Sequence, residues 1–269
     1  MNTMPHFLMC PPGFYAISYE INPWMDINNP ADLVRAHNQW EMLYETICRS
    51  GADVSLIEPV EEMPDMVFTA NAGLVHGDTV ILSSFKYKER QGEEVHYRKW
   101  FSEQGYHCHT LPHGISFEGE GDAVYYKDII LLGYGFRTDI LSHPPAGKIL
   151  DRGYISLELI NPHFYHLDTC LQYIEELNLI IYYPEAFHPK GVEHIERLPS
   201  DILRISTEDA FYFVCNSICI DKNLLLYKCT GTLTNKFKEY GLNIITLDTS
   251  EFMKSGGGVR CMVLRLTTS

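Results

Sequence analysis

A chain of 269 residues with 21 Lys plus Arg against 35 Asp plus Glu carries a formal charge of -14, a balance that repels phosphate backbones and anionic bilayers and attracts a small cation. No basic run suits nucleic acid, and no run of about 18 apolar residues could span a bilayer. The opening MNTMPHFLMCPPG lacks the charged start of a secretory leader, so neither nucleic acid nor membrane is an expected partner and the expected location is the cytoplasm. The eight cysteines are spread along a chain large enough to fold without staples, and they read as free thiols rather than a disulfide framework.

In chain order, HFLMC at His6 is a short apolar run. Asn29 and Pro30, followed by Leu33, Ala36, Trp40, Leu43, Tyr44 and Ile47 before Gly51, predict a capped amphipathic helix with Pro in its first turn. ADVSLIEP then predicts a strand. AGLVHGDTVIL from Ala72 predicts a hairpin turning near Asp78, and Glu93 to Gly105 a helix leading into the strand YHCHTLP. Strand alternation puts His107 and His109 on one face and Cys108 on the other, which argues against zinc there. Further hairpins are predicted from Gly121, Leu167 and Phe211, turning near Asp128, Leu177 and Lys222. In the last, Cys215 and Cys219 would share one strand face. Val192 to Leu198 with DILRIS, and Leu233 to Gly241 with LNIITLD, repeat the order of helix then strand.

The four turns are 50, 49 and 45 residues apart, a period that marks a repeat of two strands, a helix and a strand. The leftover runs, HFLMC at one end and CMVLRL from Cys261 at the other, would pair as a fifth hairpin and close a ring. The alternative is an open α/β sheet with scattered polar residues. No linker-like stretch divides the repeat, so residues 1–269 are expected to form one domain. Ring closure would gather Asn71, Glu118, His166 and Cys261 from distant stretches.

Taken singly, these residues have two readings each. Cys261 follows KSGGGVR, a loop that could present a thiol beside amide donors; otherwise it is a buried strand cysteine. The glycines lack the Lys-Ser/Thr and helix of a phosphate loop. His166 and Asp168 in FYHLDTC would share one strand face, where the imidazole could activate the thiol or protonate a leaving group, or simply be structural. Glu118 in FEGEGDAV is either a carboxylate given room at a crowded centre or a solvated turn acid; Glu120 reads as the latter. Asn71, ending MPDMVFTAN, either caps a turn or faces a ligand.

Together, PDMVFTANAG, FEGEGDA, GYGFRTD, HLDTC and SGGGVRC, in this order from Asp65 to Cys261, resemble the guanidino-modifying superfamily of arginine deiminases, dimethylarginine hydrolases and amidinotransferases. The resemblance covers nearly the whole chain. It implies the pentein fold, a five-bladed α/β propeller, with Cys261 as nucleophile, His166 as general acid/base and Glu118 and Asp168 as carboxylates for the guanidinium. Arg137 and Arg90 match positions that bind the substrate's α-carboxylate, and Asn22 in INPWM would touch substrate. The role of Asp122 stays open, because EGEGD departs from the commoner EGGD. Asn71 stands at a position that resembles the one where deiminases and dimethylarginine hydrolases carry an aspartate that grips the guanidinium. An amide can donate to a neutral ureido oxygen where a carboxylate would repel it.

FTANAG with INPWM therefore looks like the arginine dihydrolase branch, without the appended cyclodeaminase domain of some members. It implies hydrolysis of arginine to ornithine, carbon dioxide and two ammonia through a Cys thiouronium. Alternatives are a deiminase or dimethylarginine hydrolase giving citrulline, an amidinotransferase, and a non-catalytic binding propeller. No cofactor or metal is implied, and the expected partner is arginine or a small cationic derivative. Substrate choice would rest on the loops 11–26 and 86–94.

Overall fold

The computed structural model describes residues 4–266. In chain order, β1 (His6–Met9), α1 (Leu33–Arg49) and β2 (Asp53–Leu56) precede the hairpin β3 (Gly73–His76) and β4 (Thr79–Leu82), helices α2 (Lys88–Gln91) and α3 (Glu93–Glu103), and β5 (His107–His109). The order recurs as β6 (Ala123–Tyr126), β7 (Ile129–Tyr134), α4 (His143–Ile149) and β8 (Gly153–Glu158). It recurs again as β9 (Leu171–Ile174), β10 (Leu179–Tyr182), α5 (Pro189–Glu196) and β11 (Asp201–Arg204). After the short α6 (Thr207–Phe211) come β12 (Ile218–Ile220), β13 (Asn223–Leu226), α7 (Gly231–Glu239) and β14 (Asn243–Thr246), and α8 (Ser250–Met253) and β15 (Leu264–Arg265) complete the described elements.

The result is a mixed α/β fold of five three-stranded sheets. In each, the middle strand is antiparallel to its hairpin partner and parallel to the strand that follows the helix, as in β3–β4–β5 and β6–β7–β8. A parallel neighbour requires a crossover, and the helix supplies it. The ends of the chain obey the same rule. β1 pairs antiparallel with β15, Phe7 opposite Arg265 and Leu8 opposite Leu264, and parallel with β2 across α1. The fifth hairpin expected from the leftover runs is thus present, although CMVLRL contributes only Leu264–Arg265 as strand.

Middle strands are flanked on both edges and covered on both faces, which demands nearly unbroken apolar sequence. VIL in β4, IILL in β7, LIIY in β10 and LLL in β13 supply it, all with buried or nearly buried side chains. α1 buries Ala36, Trp40, Leu43 and Ile47 on one stripe.

Several expectations need correction. α1 starts later than Asn29–Pro30: the Asp32 carboxylate caps it by accepting the Arg35 N–H at 3.0 Å, while the Asn29 N–H closes a turn onto the Asp26 carbonyl. α4 and β8 lie outside the elements the sequence pattern predicts, because His143-Pro144-Pro145 packs two prolines into the first turn of a helix of 7 residues. The hairpin expected from Phe211 begins only at Ile218, so Cys215 lies in the preceding turn and shares no strand with Cys219. His166 and Asp168 lie not on a strand but at the start of the 3-10 turn Leu167–Thr169.

Candidate active site

The turns just ahead of the five hairpin strands converge. Each contributes one polar or nucleophilic side chain: Asn71 before β3, Glu118 before β6, His166 before β9, Asn216 before β12 and Cys261 before β15. None is more than 4% exposed. Short 3-10 turns make this crowding possible, and glycine makes room for it. Gly119 has φ +57, where a Cβ would come within 2.5 Å of the Gly73 carbonyl oxygen, and a Cβ on Gly121 would collide with the Asn71 amide and press on the His166 ring.

Cys261 sits in a turn three residues before β15, not at the start of the strand. The Asn216 Nδ2 donates to its Sγ at 3.1 Å, while Asn216 Oδ1 accepts the backbone N–H of Arg260 at 3.0 Å and of Cys261 at 3.3 Å. The sulfur in turn donates to Asp168 Oδ2 at 3.4 Å. Burial first, then the Asp168 charge, push the thiol well above its ordinary range. Burial likewise pushes Asp168 up to about 7, against the opposing pull of Arg260. At rest the pair therefore holds its proton. Arg260 also pairs with Glu120 at 2.6 Å, and Glu120 is 2% exposed, so Glu120 is a buried ion-pair partner and not the solvated turn acid expected.

The imidazole of His166 is anchored by Glu118, whose Oε2 lies 2.8 Å from Nε2 and also accepts Arg137 Nη1 at 3.1 Å. Glu118 Oε1 accepts the Lys86 backbone N–H at 3.3 Å. Burial alone would raise the Glu118 carboxyl, but Arg137 and the hydrogen bond from His166 outweigh it and hold the group well below the usual carboxylate range. Asp122 lies behind the imidazole, Oδ2 4.0 Å from Nε2, and its Oδ1 accepts the Leu167 N–H at 3.0 Å. Burial raises Asp122 to about 6.

Arg90 spreads its guanidinium over four contacts. Nε and Nη2 take the two oxygens of Glu93 at 2.8 Å each, Nη2 also reaches the Asp65 carbonyl at 3.1 Å, and Nη1 donates to Asn71 Oδ1 at 2.8 Å. The fork that would suit a substrate carboxylate is thus placed on a carboxylate of the chain itself. Arg137 is less committed: besides Glu118 it donates to the Ile21 carbonyl at 3.1 Å and is sandwiched between the rings of Tyr87 and Tyr165. Asn22 ties its loop together. Its Nδ2 donates to the Ser255 carbonyl at 3.0 Å and its Oδ1 accepts the N–H of Trp24 and Met25.

Asn22, Asn71, Arg90, Arg137, His166 and Cys261 line one narrow cleft. Its walls include Ile21 and Asn22 from loop 11–26 and Arg90 from loop 86–94. A larger hollow lined by Tyr125, Gln172 and Arg265 contains neither His166 nor Cys261. Among the described residues no group of three or more His, Cys, Asp or Glu side chains is arranged to hold a metal ion. No helix among them is long and apolar enough to cross a membrane.

Asn216 is the member that sequence reasoning missed, and a signal for it existed. In the sequence four hairpins carry one candidate polar residue each, counting Cys261, while the hairpin running into Ile218 carries none; Asn216 is the polar side chain two residues ahead of that strand.

The chain is similar over nearly its whole length to known proteins. The family described as N,N dimethylarginine dimethylhydrolase, eukaryotic, matches residues 18–268. The bifunctional arginine dihydrolase/ornithine cyclodeaminase ArgZ of Synechocystis is 42% identical over 265 residues, 97% of this chain and 37% of that relative. The dimethylarginine dimethylaminohydrolase of Mycobacterium tuberculosis is 38% identical over 260 residues, 97% of this chain and 85% of the relative. The crystal structure of the N-terminal domain of ArgZ bound to substrate, an arginine dihydrolase, superposes with a TM-score of 0.94 at 40% identity and covers 98% of each chain. The chain spans little more than a third of the length of the full dihydrolase relative it matches.

Proposed function

Because this chain belongs to the N,N-dimethylarginine dimethylhydrolase family, we propose that it is a cytoplasmic arginine dihydrolase, a cysteine-dependent hydrolase that turns arginine and two waters into ornithine, carbon dioxide and two ammonia. On this reading the five sheets are the blades of a closed pentein propeller and residues 1–269 are one catalytic domain. The pairing of β1 with β15 supports it.

Arginine enters as a cation, in keeping with the chain's net charge of -14. Its guanidinium settles against Asp168 and Glu118, and Arg137 takes the α-carboxylate with its uncommitted N–H groups. Arg90 offers its one remaining N–H, and Asn22 shapes the entrance. The arriving positive charge favours the ionised forms of both Asp168 and Cys261, so the thiol loses its proton when substrate is in place.

The sulfur of Cys261 then attacks the guanidinium carbon, His166 protonates the departing ammonia, and a thiouronium remains. Water, deprotonated by His166, breaks the carbon–sulfur bond and leaves citrulline. Citrulline stays bound, and the sulfur attacks its ureido carbon. A second ammonia leaves, and a second water splits the thiocarbamate to a carbamate that separates into ornithine and carbon dioxide. The nucleophile, the acid/base and the charge partners are all side chains, so the reaction calls on no cofactor or metal. The partner is a small cationic molecule, with no part for nucleic acid or membrane.

One observation carries the second cycle: Asn71 presents an amide, its Oδ1 taken by Arg90 and its Nδ2 at the centre, where one N–H meets the Glu118 carbonyl oxygen at 3.4 Å and the other is left for a ligand. An aspartate would face the ureido oxygen with like charge, at a cost of about 2 kcal/mol or more in a site this dry. Incubation with arginine, assaying ammonia, citrulline and ornithine together, tests the reading. Two ammonia per ornithine is the expected ratio. Citrulline accumulating one to one with ammonia would leave a deiminase.

The family description and the relative from Mycobacterium tuberculosis favour one second reading, release of dimethylamine from dimethylarginine by the same nucleophile. Comparing kcat/KM for methylated and unmethylated arginine separates the two.

A further inference from the structure

We propose that Glu93, acting through Arg90, is a positioning residue that decides which end of the Asn71 amide faces the reacting carbon, an inference that rests on the two-cycle reading above. The two ends of an asparagine amide are nearly alike in shape, and only their partners distinguish them. Arginine has donors and no acceptor, so Arg90 Nη1 at 2.8 Å fixes that partner as Oδ1. The NH2 is thereby turned the other way, where Nδ2 lies 3.4 Å from the Glu118 carbonyl oxygen and against Gly121, beside His166.

Arg90 is itself immobilised. Four of its five N–H groups are engaged within the chain, two of them by Glu93, which lies three residues on, in the first turn of α3, and is fully buried. Its guanidinium also stacks 4.4 Å over Phe85. The bidentate pairing between Arg90 and Glu93 thus aims a third side chain. Without it the Asn71 amide is held only by the long 3.4 Å contact of Nδ2 with the Glu118 carbonyl; turned, its oxygen would oppose the ureido oxygen of citrulline. A guanidinium, which has donors and no acceptor, would instead find an acceptor in the turned oxygen.

The test uses the full chain with Cys261→Ser, so that ligands bind without turnover, and calorimetry with arginine and with citrulline. Glu93→Gln weakens the hold on Arg90. Because an uncompensated buried guanidinium can unfold a protein, the double substitution Arg90→Met with Glu93→Met replaces the pair by apolar chains of similar bulk. In both, the ratio of the citrulline Kd to the arginine Kd is expected to rise about tenfold. The corresponding enzymes with Cys261 intact should release citrulline from arginine. Equal weakening of both ligands, the signature of lost α-carboxylate binding, overturns the proposal, as does an unchanged ratio, or a Cys261→Ser protein that binds arginine but no citrulline. If the unsubstituted enzyme stops at citrulline, the two-cycle reading fails while the affinity ratio still decides on Glu93.

Discussion

Glu118 Oε2 lies 2.8 Å from His166 Nε2 with neither side chain more than 2% exposed, and the same oxygen holds Arg137 at 3.1 Å. One buried charge therefore orients the proposed acid/base and restrains a proposed substrate clamp. Glu118→Gln keeps the shape and removes the charge. We expect kcat to fall by about 100-fold or more and stability to fall by about 3 kcal/mol, because Arg137 is left buried without its counter-charge. The sign with pH follows from the low Glu118 carboxyl. Its stabilisation is fully present above the ordinary value of 4.5 and is lost as pH falls toward the depressed one. Thermal melts should show a steep loss of Tm on acidification below pH 4.5 in the parent and a shallower one in Glu118→Gln.

Asp168 acts with the opposite sign. Its carboxyl is raised from 3.8 to about 7 by burial, so the folded state favours the protonated form. The associated stability is present below 3.8 and is lost as pH rises through 7. Asp168→Asn should flatten the decline of Tm between pH 4 and 7. A cation beside this carboxyl also favours its ionised form, so arginine binding near pH 6 should release a proton. Calorimetry of the Cys261→Ser protein in buffers of different ionisation enthalpy reads that release directly. Neutral citrulline should release much less, and equal release by both ligands would sink the assignment of Asp168 to the guanidinium.

Asn216 reaches Cys261 from both sides of its amide, Nδ2 to the sulfur and Oδ1 to the backbone N–H. Asn216→Asp preserves the acceptor that holds the loop but sets a carboxylate against the sulfur, which disfavours thiolate. Alkylation of Cys261 by a haloacetamide at pH 8, followed by peptide mapping, is expected to slow about tenfold in this variant. An unchanged rate would mean that the amide only supports the loop.

Much of this was legible in the sequence, for physical reasons that differ from element to element. The middle strands declared themselves because burial on two faces forces runs such as IILL and LIIY. The pairing of the chain ends followed from repeat counting, which is blind to local propensity and so survived the shortness of β15 at Leu264–Arg265. What failed was local. α4 hid behind two prolines, and the strand expected at Phe211 dissolved into a turn because the chain there must carry Asn216 to the centre. Asp168 reached the sulfur from a 3-10 turn instead of a strand face. Tertiary demands at the site, not the intrinsic preferences of FYFVCN or HLDTC, set those backbones. The i,i+3 spacing of Arg90 and Glu93 allows an ion pair, but only the folded core shows Glu93 without solvent and the fork of Arg90 spent on it.

Asn71→Asp puts the preceding assignments under one strain. The new carboxylate would sit 2.8 Å from Arg90 Nη1 if it kept the place of the amide oxygen, so the site should fold around it. Its second oxygen replaces Nδ2 and faces the bound ligand. A guanidinium finds an added counter-charge there, whereas a ureido carbonyl finds like charge and no donor. The first cycle should therefore persist and the second should fail: citrulline is expected to accumulate one to one with ammonia, and ornithine output to drop by about 30-fold or more, the factor that 2 kcal/mol of lost binding corresponds to. Assaying the three products over one time course checks it. Ornithine produced at the parent's rate would show that the choice between one hydrolysis and two is made elsewhere than at position 71, and would remove the reason for Arg90 and Glu93 to hold that amide in place.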